Sequence, residues 1–186
     1  MGLNKINMSI TLLLFCIIFL GIGCTGQDGN EPDNGAEDSQ IAQFDVSSSA
    51  FENNETIPVV YTCDGENINP PLQFSGIPDD ADSLVLIVED PDAPGGVFTH
   101  WIVWNINPES NIMKDSVPGI EGENSFGEVS YGGPCPPSDT THRYIFRVYA
   151  LDTELNLDGG ANRQNLENAM DGHILAEGEL IGLYGR

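Results

Sequence analysis

Apolar residues along the chain fall into short runs separated by breaks rich in Pro and Gly. The sharpest run, Leu84-Val85-Leu86-Ile87-Val88, leaves no position to face water, as expected of a strand covered on both sides. It predicts a central strand over Leu84 to Glu89. Stretches rich in β-branched and aromatic residues predict further strands at Ile57 to Thr62, His100 to Ile106, Arg143 to Leu151 and Ile174 to Leu183. Leu166, Ala169 and Met170 recur at helical spacing, which predicts a helix over Asn162 to Asp171. Strand side chains alternate between faces, so His142 and Tyr144 share one face, continued by Phe146 and Val148, while Arg143 takes the other. The same rule puts His100 on the face of Ile102 and Trp104. The sum is a mainly β domain with a minor helix.

The amino-terminal pattern differs. Lys5 is followed by an almost wholly apolar run from Ile10 to Ile22, then by small residues and Cys24, the order of a signal peptide. A helix needs about 20 residues to cross a bilayer core, so the run is too short for a permanent span. Leu20-Gly21-Ile22-Gly23-Cys24 resembles the lipobox of prokaryotic lipoproteins, although Gly21 stands where a large residue is usual. This implies cleavage after residue 23 and lipidation of Cys24, with plain secretion as the alternative. Thr25 to Gln43 holds almost nothing that could be buried and reads as an acidic, flexible tether over residues 24–43. Residues 44–186 then form one domain of ordinary size.

Charge removes one class of function. The chain carries 29 acidic and 6 basic residues, a formal charge of −23, and loss of residues 1–23 would remove Lys5 and no acid. A polyanion is repelled by nucleic acid, so no nucleic-acid partner is expected. Cys63 and Cys135 remain after cleavage in a compartment that permits disulfides. Spacing alone leaves open whether they are bridged or two free thiols.

Three motifs carry the chemistry. Asp90-Pro91-Asp92-Ala93-Pro94 closes the apolar central strand, and its prolines stiffen the backbone that presents two carboxylates. His100-Trp101-Ile102-Val103-Trp104-Asn105-Ile106 opens on a histidine. Gly132-Gly133-Pro134-Cys135-Pro136-Pro137 precedes His142-Arg143-Tyr144, where an imidazole and a phenol sit side by side. The Gly/Pro loop has few side chains to obstruct a ligand, and its N–H groups could meet one directly.

In this order and approximate spacing, with Tyr61-Thr62-Cys63-Asp64-Gly65 and Asn69-Pro70-Pro71-Leu72 ahead of them, the motifs resemble the phosphatidylethanolamine-binding protein family. The version here is similar to its bacterial and archaeal branch, called Raf kinase inhibitor-like and typified by YbhB and YbcL. The resemblance runs from Phe44 to Leu183. It implies a β-sandwich with a large central sheet and few helices, and a pocket for phosphate-like or carboxylate-like anions, including phospholipid headgroups. Carried over by motif, the pocket residues are Asp90, Asp92, His100, Pro136, His142 and Tyr144. Phe98 stands where animal members place a bulky aromatic, and their long loop is shortened to Gly95-Gly96-Val97.

The expected mechanism has His100 and His142 each presenting a ring N–H to a small anion, with Asp90 or Asp92 bonded to one ring's other nitrogen. Tyr144 adds an O–H. Two other classes compete. A hydrolase would need a nucleophile among Ser130, Cys135 and Ser138, none of which sits in a recognisable nucleophile setting. Regulation of an extracytoplasmic protease or other protein partner is the second. No cofactor is expected, and His100, His142 and His173 lack the spacing of a metal site.

Overall fold

The computed structural model describes residues 41–186; the expected signal peptide, Cys24 and all but the last residues of the expected tether lie outside them. Chain order is β1 (Ala42–Gln43), β2 (Asp45–Ser47), β3 (Glu55–Thr56), a 3-10 turn (Val59–Tyr61), β4 (Gln73–Ser75), β5 (Ser83–Asp90), β6 (Phe98–Ile106), β7 (Ile120–Glu121), β8 (Thr141–Leu151), α1 (Arg163–Met170) and β9 (Ile174–Gly185). Pairing begins at Ala42, two residues ahead of the expected domain start at Phe44.

A seven-stranded mixed sheet dominates, in the order β1-β9-β8-β5-β6-β7, with β3 also paired to β9. β5 lies between β8 and β6 and all eight of its residues are buried, which explains its unbroken apolar run. Alternation along it feeds two cores. Leu84, Leu86 and Val88 join Trp101, Val103, Phe146 and Val148 beneath the small β2–β4 sheet, where Val46 and Phe74 pack. Val85 and Ile87 join Ile102 and Trp104 under α1, which supplies Leu166 and Met170. Asn162 caps that helix by accepting from the Asn165 N–H at 3.0 Å.

Two expectations fail here for identifiable reasons. Ile57 to Thr62 is not a strand. Ile57 donates the last ladder bond, to Leu183 O at 2.8 Å. Pro58 has no N–H with which to continue, and the chain folds into the 3-10 turn closed by Thr62 N–H to Val59 O at 3.0 Å.

The second failure concerns His100. Val88 is opposite Trp101 but Glu89 is opposite Thr99 and Asp90 opposite Phe98, so β6 carries one extra residue at position 100. This β-bulge breaks the period of two and turns the His100 side chain away from the Ile102/Trp104 face, onto that of Trp101 and Tyr144.

Candidate ligand site

The site forms at one end of the central sheet, where β5 ends and its antiparallel neighbours β6 and β8 begin. Pro91 cannot donate to a ladder, so β5 stops at Asp90 and turns, with the Asp92 N–H donating to Asp90 Oδ1 at 2.8 Å. Asp90 Oδ2 meets His142 Nδ1 at 2.7 Å, and both side chains are nearly buried. A carboxylate held this far from water needs such a partner. On the other side of the ring, Nε2 lies 3.3 Å from Thr140 Oγ1. That hydroxyl donates to Pro137 O at 2.7 Å, so it turns a lone pair to His142, which Nε2 answers with a hydrogen only in the doubly protonated ring, since the Asp90 carboxylate already holds the Nδ1 proton.

His100 is arranged differently. Its Nδ1 lies 2.7 Å from Gly132 O, and because a carbonyl only accepts, Nδ1 carries a proton. The ring is packed edge to face against Tyr144 and Phe126, at centroid distances of 5.2 and 5.5 Å, and against Phe98 at 5.1 Å. Burial therefore pushes its pKa below the ordinary histidine value; the Gly132 carbonyl and the more distant Asp90 carboxylate oppose this only in part. In the neutral ring that burial favours, Nε2 is an acceptor, where an N–H was expected.

These two histidines and Asp90 line a cavity of about 360 Å³ walled by Phe98, Phe126 and Pro136. Tyr144 is fully buried behind it, and its hydroxyl has no hydrogen-bond partner among the described residues. Burial first, then the Asp90 carboxylate, raises the Tyr144 phenol above the usual tyrosine value.

Asp92 is not brought to the cavity. It turns outward into a two-pronged pair with Arg143, Oδ1 to Nη2 at 2.6 Å and Oδ2 to Nε at 2.9 Å. Oδ2 also accepts from the Arg143 backbone N–H at 3.0 Å. Those bonds depress the Asp92 carboxyl to about 2. His173 is likewise elsewhere, bonded to Asp152 at 2.7 Å.

The Gly/Pro loop serves packing. Gly132 N–H donates to His100 O at 3.0 Å and Gly133 N–H to Asn67 Oδ1 at 2.7 Å, so neither is open to a ligand. A side chain at Gly132 would come within 2.6 Å of the Phe126 ring, and one at Gly133 within 2.6 Å of Tyr61 O. A Cys63–Cys135 disulfide, with Cα atoms 5.5 Å apart, ties this loop to the turn after Tyr61.

Sequence motifs missed one charged wall residue. β9 runs to Gly185, and its alternation carries Arg186 onto the face of Tyr184, which is opposite His142. Arg186 lines the cavity, its Nε 3.1 Å from Asp64 Oδ2 and its Nη1 3.6 Å from Cys135 Sγ. Asp64 is itself fixed by the Tyr184 hydroxyl at 2.7 Å. Extending the period of two beyond Leu183 was the signal that could have found it.

Three comparisons bear on this arrangement. The family model described as phosphatidylethanolamine-binding protein matches residues 47–185. A UPF0098 protein of Pyrococcus horikoshii is 47% identical over 188 residues, covering 95% of this chain and 89% of its own. The crystal structure of CT736, a phosphatidylethanolamine-binding protein homolog from Chlamydia trachomatis, superposes with a TM-score of 0.74 at 45% identity, over 77% of this chain and 98% of its own. That of E. coli YbcL, titled a new member of the mammalian PEBP family, gives 0.72 at 29% identity, over 78% and 99%.

Proposed function

The chain belongs to the phosphatidylethanolamine-binding protein family, and on that premise we propose that it is a non-catalytic binding protein for a small anion bearing phosphate or carboxylate. The observation that carries this reading is that His142, whose Nδ1 is bonded to Asp90, and Arg186 both line one largely apolar cavity. The 3.3 Å contact of Nε2 with Thr140 is long, and an anionic oxygen is a better acceptor than a hydroxyl already engaged with Pro137. Charge-assisted bonds of about 1.5–3 kcal/mol each would offset the negative field of an acidic protein.

Two further observations favour binding over nucleophilic catalysis. The Cys135 sulfur is spent in the disulfide, and the Thr140 hydroxyl aims its proton at Pro137 O rather than at His142. An imidazole nitrogen that faces the lone pair of a hydroxyl, rather than its proton, is not placed to take that proton.

The place of action is the extracytoplasmic face of a membrane, with Cys24 as the lipid anchor. The lipobox-like segment and the disulfide support it, since such bonds persist mainly in oxidising compartments. The full chain should fractionate with membranes, and Cys24→Ser should release it; a wild type already soluble sinks the anchor. Calorimetric titration of the full chain with O-phosphoethanolamine at pH 6 should show saturable binding that His142→Ala weakens at least tenfold. Indistinguishable wild-type and variant curves would remove the anion-pocket reading.

A further inference from the structure

We propose that this cavity selects oxyanions that still carry a proton, above all phosphate monoesters in their monoanionic form, over oxyanions with no proton to give. The inference rests on the anion-pocket reading and adds the identity of the group the ligand must bring. Its basis is the contrast in hydrogen-bond roles around the cavity.

Arg186 is a donor, as is His142 Nε2 in the doubly protonated ring, and both suit any anion. His100 is the exception. With Nδ1 committed to Gly132 O at 2.7 Å, its remaining nitrogen has no hydrogen-bond partner among the described residues, and the residue lines the cavity. In the neutral ring that nitrogen has only a lone pair to offer.

Neutrality follows from the surroundings. Phe98 on its own strand, Tyr144 from β8 and Phe126 from the loop before Gly132 enclose the ring. The charged or titratable groups facing it are Asp90 from β5, His142 and Tyr144 from β8, and Arg186 at the end of β9. Asp90, the carboxylate among them, spends Oδ2 on His142 and Oδ1 on the Asp92 N–H rather than on His100.

A sulfate ester or a phosphate diester would set a bare anionic oxygen against the His100 lone pair, leaving an acceptor unpaired and adding repulsion. A monoester monoanion turns its P–O–H to Nε2 and gives its other oxygens to the donors. The second ionisation of a phosphate monoester falls at about pH 6, so the selected form is populated near and below neutrality.

Three probes that differ in proton content test this: methyl phosphate, about half of it the monoanion at pH 6, and the proton-free monoanions methyl sulfate and dimethyl phosphate, titrated calorimetrically into the full chain at that pH. Methyl phosphate should bind at least tenfold tighter than the other two, a difference of about 1.4 kcal/mol, and should weaken towards pH 8. Nitrogen-15 NMR of the wild type should show His100 protonated at Nδ1 alone, and His100→Gln, whose amide can donate, should shrink the preference to under threefold.

Binding of all three probes within threefold would overturn the selection and leave the anion pocket standing. Glycerophosphoethanolamine, a diester whose ammonium can donate, serves as the lipid-headgroup arm. If it matches methyl phosphate, the monoester assignment is overturned. Failure of every probe would remove the anion-pocket reading together with this inference, as would a doubly protonated His100 for the inference alone.

Discussion

His100 and His142 line the same cavity but sit in opposite environments. His142 is held by a carboxylate on Nδ1 and faces the lone pair of a hydroxyl on Nε2, so its partners favour a ring that presents hydrogen. His100 is held by a carbonyl inside an aromatic cage, so one nitrogen presents a lone pair. One residue type thus supplies both halves of a hydrogen-bonding pattern, and the backbone decides which. The end of β8 follows regular alternation, whereas the end of β6 departs from it by one residue. Polarity at each position follows from which partner the local backbone brings within reach.

The largest expected effect comes from removing what holds His142. Asp90→Ala leaves a buried imidazole without its partner and should cost about 3 kcal/mol in urea denaturation, with loss of anion binding. A cost below that of an ordinary surface substitution would show that the two histidines are not differently anchored.

An intermediate effect should appear as a pH slope owed to His100. Its folded pKa is depressed, so below the ordinary histidine value near 6.5 the unfolded chain holds a proton that the folded one does not. Stability from this source is full above pH 6.5 and declines as pH falls, by at most about 1.4 kcal/mol per pH unit. The wild type should therefore lose more stability between pH 7 and pH 5 than His100→Gln does; equal slopes would place the charged ring in the fold.

Smallest is Asp92→Asn. Its pair with Arg143 is exposed, so its effect on melting temperature at pH 7 should be several-fold below that of Asp90→Ala. With Asp92 depressed to about 2, the contribution is complete above pH 4 and fades as pH falls through 2, where wild type and variant should coincide. Unchanged anion binding in this variant would sharpen the division between the inward and outward carboxylates of one turn.

Much of the fold was legible because it depends on patterns that burial imposes directly. β5 is continuous because both faces are covered, and the His142/Tyr144 face follows from strand alternation. What escaped were single-residue events. Pro58 converts a β-rich stretch into a 3-10 turn by lacking one N–H, and the extra residue in β6 reverses one side chain. The motif Asp-Pro-Asp shows two carboxylates but not that the turn between them sends Asp90 to His142 and Asp92 to Arg143. Arg186 was hidden because it is distant in sequence from every motif and joins the site only through the pairing of β9 with β8.

Without position 100 in the β6 bulge, Phe98, Thr99 and Trp101 would already alternate in step with Asp90, Glu89 and Val88. His100 is thus the extra residue at one of the two register shifts between β5 and β6. Removing one residue between Thr99 and Trp101 therefore changes the chain length at this strand end, and the shortened β6 should keep its pairing with β5 while the cavity loses its imidazole wall.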